Sequence, residues 1–183
     1  MTKDNKKGMN RMIFGKMAET LIEHTLKKRF YVYHFGYELI TENVSQRKKE
    51  KSKLKKFDDW TEADFMIQAS PDFIITAKDD DKERLYFIEV KTSREYTLDE
   101  EFKKFLHNAR WYKTLHAIKY YPGLRIINLI WNCEKPDLKL FLGKMKDDGK
   151  NFELIEQKVE MLLSKEEVDD ILEIVKNMNP PEK

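Results

Sequence analysis

The sequence predicts an α/β protein with a mixed central β-sheet flanked by helices, and three observations carry that expectation. Apolar residues recur at helical spacing near the start and again around position 105. Short runs rich in Ile, Phe, Tyr and Val lie between and after them. The resulting order is helix, strand, hairpin, helix, strand, terminal hairpin and helix, without internal repeats. The 183 residues, 40% of them hydrophobic, suffice for one core, so residues 1–183 are expected to form a single domain.

In residues 10–29, Phe14, Met17, Ala18, Leu21, Ile22 and Leu26 mark one face of a first helix. Residues 30–39 are rich in Tyr, Phe and Val and suit a strand, with Gly36 a candidate bulge. Composition then changes sharply. Residues 41–62 contain Arg47, Lys48, Lys49, Lys51, Lys53, Lys55 and Lys56 with little to bury, and are expected to form a basic surface loop insertion.

Phe73-Ile74-Ile75 and Leu85-Tyr86-Phe87-Ile88 flank the polar Lys78-Asp79-Asp80-Asp81-Lys82 and predict an antiparallel hairpin of buried strands. Thr97-Leu98-Asp99-Glu100 matches a capping box, and Leu98, Phe102, Phe105, Ala109 and Tyr112 continue a second helix to about Ala117. Tyr121-Pro122-Gly123 breaks it. Strands are expected over 125–132 and 138–145; Asp147-Asp148-Gly149-Lys150 then turns the chain into 152–159. Ser164-Lys165-Glu166-Glu167 caps a last helix that ends before Asn179-Pro180-Pro181. Residues 133–183 thus read as a C-terminal extension of the same domain.

Composition narrows the function classes. A net charge of +2 with 37% charged residues means that any nucleic-acid footprint depends on local clustering. The lone Cys133 excludes a disulfide framework or a four-cysteine metal site within one chain. The first residues, Met1-Thr2-Lys3-Asp4, lack the apolar stretch of a secretory signal, and no apolar run approaches membrane-spanning length. The expectation is a cytoplasmic protein with no membrane and no organic cofactor.

Along a strand side chains alternate faces, so Glu89 and Lys91 share a surface while Val90 enters the opposite layer. If Asp72 opens the preceding antiparallel strand, its carboxylate comes near Glu89 at the same sheet end. Two hard oxygen donors beside an ammonium suit magnesium or manganese, which polarise a phosphodiester and acidify a bound water. Without such chemistry, Asp72 is a turn acid, and Glu89 with Lys91 a solvated ion pair on an edge strand. So apolar a hairpin argues for central strands instead.

Pro71-Asp72 followed by Glu89-Val90-Lys91 resembles the active-site signature of the PD-(D/E)xK nuclease superfamily. That resemblance implies a restriction-endonuclease-like core, αβββαβ over residues 10–132, here followed by a C-terminal β-hairpin and helix. It implies a Mg2+- or Mn2+-dependent deoxyribonuclease, either structure-directed, as in repair or junction processing, or restriction-like. Asp72, Glu89 and the Val90 carbonyl would hold the metal, and Lys91 would assist the water. Glu19, on the first helix, would be an auxiliary ligand, with Glu23 as its neighbour. Only the short motifs and the element order match, and with one cysteine the iron-sulfur branch of the superfamily is not matched.

Further contacts to DNA are expected from Lys48, Lys49, Lys51, Lys53 and Lys55 through phosphate neutralisation, and from Thr92, Ser93 and His107. A homodimer would set two active sites on a duplex. His24, His34 and His116 have no ligand spacing, and Asp58, Asp59 and Glu62 read as surface acids. The competing class is a nucleic-acid-binding or assembly protein that keeps a nuclease-like sheet without catalysis.

Overall fold

The computed structural model describes residues 3–34, 61–62, 66, 69–78, 84–93, 109–131, 135–149 and 151–178, with the side chains of 3–12 and 109–113 excepted. Among these residues the order is α1 (Lys3–Leu26), β1 (Phe30–His34), β2 (Phe73–Ala77), β3 (Leu85–Ser93), α2 (Ala109–Tyr120), β4 (Arg125–Ile130), β5 (Asp137–Met145), β6 (Phe152–Gln157) and α3 (Lys165–Asn177). The six strands form one sheet in chain order, β1 to β6. Every neighbouring pair is antiparallel except β3 with β4, which run parallel. The chain is an α/β protein with a mixed sheet.

Alternation along the strands separates two cores. On one face Phe73, Ile75, Ile88, Val90, Ile127 and Leu129 pack with Ala18, Ile22 and Leu26 of α1 and Ile171 and Val175 of α3. On the other, Ile126 and Phe141 pack with Ala117 and Ile118 of α2, together with Ala69 and Leu124. Among the described residues the molecule is therefore layered, with two helices on one side of the sheet and one on the other. Burying an aliphatic side chain of this size contributes roughly 1.5–3 kcal/mol, so both helix layers are held chiefly by these contacts.

Parallel strands require a crossover, and α2 supplies it between β3 and β4. It rests closely on β5 because Gly143 has no side chain. A Cβ there would lie 2.6 Å from Cγ1 of Ile118. Gly123, with φ 80°, turns the chain from α2 into β4, a conformation that suits glycine.

Several boundaries differ from those expected. The first helix starts at Lys3 and ends at Leu26, because residues 27–29 turn into β1 through single backbone bonds. The last strand stops at Gln157, and Val159–Met161 form a 3-10 turn that leads to Ser164. There the capping box is complete: the Ser164 side chain accepts from the Glu167 N–H, and the Glu167 carboxylate accepts from the Ser164 N–H. Gly36, the basic stretch 41–60 and the capping box at Thr97 lie outside the described residues. No helix among the described residues is long and apolar enough to cross a membrane.

Candidate active site

Asp72 stands immediately before β2, and the Phe73 to Ile88 pairing, continued by one residue, places it across from Glu89. Its Oδ2 accepts a hydrogen bond from the Val90 N–H at 2.7 Å. The segment leading to it is anchored on the α2 side of the sheet. Ala69, Ser70 and Pro71 are buried, and Ser70 Oγ lies 3.4 Å from the Tyr121 hydroxyl.

Glu89 is 4% exposed, and Lys91 is half-buried on the same face, with its ammonium donating to Glu89 Oε1. A charged group this deep would be costly alone, and the paired lysine offsets that cost. Ser93 carbonyl accepts from Trp131 N–H across the parallel pair, so the peptide groups of Glu89, Lys91 and Ser93 turn toward β4. Those of Val90 turn the other way, toward Asp72, and its carbonyl faces the same gap.

The Asp72 carboxyl is pushed up to about 7. Burial is the main cause and the Glu89 charge the next; Lys91 and the Val90 N–H act in the opposite direction, and Glu19 adds to the rise. Two carboxylates facing each other in a poorly solvated gap disfavour their joint ionisation. A divalent cation would remove that penalty.

Glu19 and Glu23 lie one turn apart on α1 but have different surroundings. Glu23 Oε1 is 2.6 Å from Lys27 Nζ and 2.8 Å from His34 Nε2. Burial alone would raise its carboxyl, but these two partners outweigh burial and hold it below the usual range. Glu19 meets Lys16 at 3.2 Å, and its charge is felt at Asp72. Of the two acids, Glu19 is the one coupled to the gap. Yet no group of three or more His, Cys, Asp or Glu stands ready to hold a metal among the described residues. The ligand trio with Glu19 is not assembled; Lys16 keeps that carboxylate along its own helix.

Asp72, Glu89, Val90 and Lys91 are thus brought together, with Glu19 at the margin. Ser93 shares the Glu89–Lys91 face, where its hydroxyl accepts from Asn128 Nδ2 at 3.3 Å. Thr92 alternates to the other face with Val90 and does not join them. Lys48, Lys49, Lys51, Lys53, Lys55 and His107 lie outside the described residues. Glu62 accepts from Tyr120 and Lys119 at the α2 surface, away from the gap. Asn128 was not singled out from the sequence, although it is 2% exposed and pairs in register with Lys91. Its signal was one amide inside Ile126-Ile127-Asn128-Leu129-Ile130.

The donor set fits a hard divalent cation. Asp72 and Glu89 offer carboxylate oxygens and Val90 a carbonyl oxygen, which suit Mg2+ or Mn2+ better than a thiolate- or imidazole-preferring metal. An open depression of about 500 Å3 beside Lys135, Leu172 and Lys176 involves none of these residues. No protein-family model, curated protein or solved structure matches this chain.

Proposed function

We propose that this chain is a Mg2+- or Mn2+-dependent nuclease of the PD-(D/E)xK type that hydrolyses DNA phosphodiester bonds. The observation that carries the reading is the meeting of Asp72, Glu89 and Lys91 around the Val90 peptide at the mouth between β2 and β3. The order α1, β1, β2, β3, α2, β4, with its one parallel pair, supports a restriction-endonuclease-like core. DNA as substrate rests on the resemblance.

In this reading Asp72, Glu89 and the Val90 carbonyl would hold the cation, which when bound would supply charge neutralisation at phosphate and a more acidic water. Val90 N–H fixes the Asp72 carboxylate through one of its two oxygens. Lys91 donates to the attacking water or to the phosphate oxygens, where negative charge grows. Glu19 adjusts the field at Asp72 from α1. Two copies would address the two strands of a duplex.

The test is cleavage of duplex, single-stranded and branched DNA with Mg2+ or Mn2+, beside Asp72→Ala and Lys91→Ala. Cation-dependent cutting that both substitutions abolish supports the reading. Undiminished cutting by both overturns it, and DNA binding without cutting by the unaltered protein favours the non-catalytic binding class.

A further inference from the structure

In β4 the sequence Arg-Ile-Ile-Asn-Leu-Ile places one amide in an otherwise apolar stretch. Asn128 is 2% exposed, and such a group costs stability unless its hydrogen bonds are supplied. Its Nδ2 donates to Ser93 Oγ. On the same face its register neighbours are Lys91 on β3 and Lys139 on β5. Lys139 is engaged by Glu156 at 3.5 Å. Lys91 is held by Glu89, one of the two acids expected to take up a cation.

A carboxylate that coordinates a cation cannot hold the lysine as it did before. The ammonium of this half-buried lysine is then drawn to another acceptor within its reach. Neighbouring strands are about 4.8 Å apart, so the Asn128 carboxamide is within reach of the Lys91 side chain. We infer that Asn128 is a positioning residue: its Oδ1 receives the Lys91 ammonium when Glu89 is taken up or neutralised, and Ser93 orients the carboxamide for that role. Lys91 thereby has two stations, Glu89 at rest and Asn128 in the working state. The catalytic meaning rests on the nuclease reading; the exchange of partners does not.

The experiment separates the two. In cation-free protein, unfolding is followed for Asn128→Leu, Glu89→Gln and the double variant. Alone, Asn128→Leu has only the modest cost of the lost Ser93 hydrogen bond, because Lys91 keeps Glu89 as its partner. In the Glu89→Gln background it lowers Tm by about 3–6 °C more. Asn128→Asp, which keeps an acceptor oxygen, restores the loss there, and adding Lys91→Met removes the difference. Equal shifts in both backgrounds, or a difference that survives Lys91→Met, overturn the inference whatever the protein cleaves. In cleavage assays Asn128→Leu lowers kcat at least tenfold with KM and Mn2+ affinity unchanged. An unaltered kcat overturns the working-state role. Absence of cleavage by the unsubstituted protein overturns the nuclease reading and leaves the unfolding result to decide Asn128.

Discussion

The two faces of β3 and β4 differ although the same two strands build both. Toward α1 and α3, Ile88, Val90, Ile127 and Leu129 form an apolar surface that ends at Thr92. Toward α2, Phe87 and Ile126 are followed, at the carboxyl ends of the strands, by Glu89, Lys91, Ser93 and Asn128. The first face only stabilises. On the second, paired charges occupy sites that aliphatic side chains would fill more cheaply, the pattern that the proposed function accounts for.

The largest expected effect breaks the polar face. Asp72→Ala or Lys91→Ala should lower the rate of Mg2+-dependent DNA cleavage by about a thousandfold or more, measured on a labelled duplex, with the circular dichroism spectrum unchanged. The apolar face answers in the opposite currency. Ile88→Ala or Leu129→Ala should cost roughly 2–5 kcal/mol in urea unfolding, since each side chain is fully buried.

The Asp72 carboxyl sharpens the contrast through pH. Its value in the folded protein, about 7, lies above the ordinary 3.8, so ionising it costs more in the folded than in the unfolded chain. In cation-free protein this group therefore lowers stability progressively as pH rises from about 4 to about 7, and Asp72→Asn should flatten that decline. Mn2+ should correspondingly raise Tm more at pH 8 than at pH 5. A Tm profile that is the same for Asp72→Asn and the unaltered protein would refute the electrostatic account of the gap.

Smaller effects test how the two layers are held. Gly143→Ala forces a methyl group against the buried Ile118 and should cost about 1–3 kcal/mol by displacing α2 from β5. Ser164→Ala removes the α3 cap and should cost about 1 kcal/mol, read in thermal unfolding. Glu19→Gln should change cleavage less than Asp72→Ala, and Glu23→Gln less again, because His34 and Lys27 already engage Glu23.

Much of the fold was legible as local pattern. The period of Ala18, Ile22 and Leu26 marks the buried side of α1; the apolar runs around the 78–82 turn mark β2 and β3; Ser164 with Glu167 marks the start of α3. The site was legible in part, because strand alternation alone puts Glu89 and Lys91 on one face. Asn128 was visible as an amide in an apolar strand, but its relation to Lys91 was not, since the parallel pairing joins residues far apart in the chain.

The sequence by itself determined the elements, the α/β class and the types of group that meet at the gap, because periodicity, caps and turns act over a few residues. Only the tertiary structure decided that Asp72 bonds the Val90 peptide, that Glu19 rather than Glu23 is felt there, and that Asn128 stands beside Lys91. Those outcomes depend on how α1 crosses β3 and how β3 aligns with β4. Burial of both sheet faces sets that packing, and no short stretch of sequence encodes it.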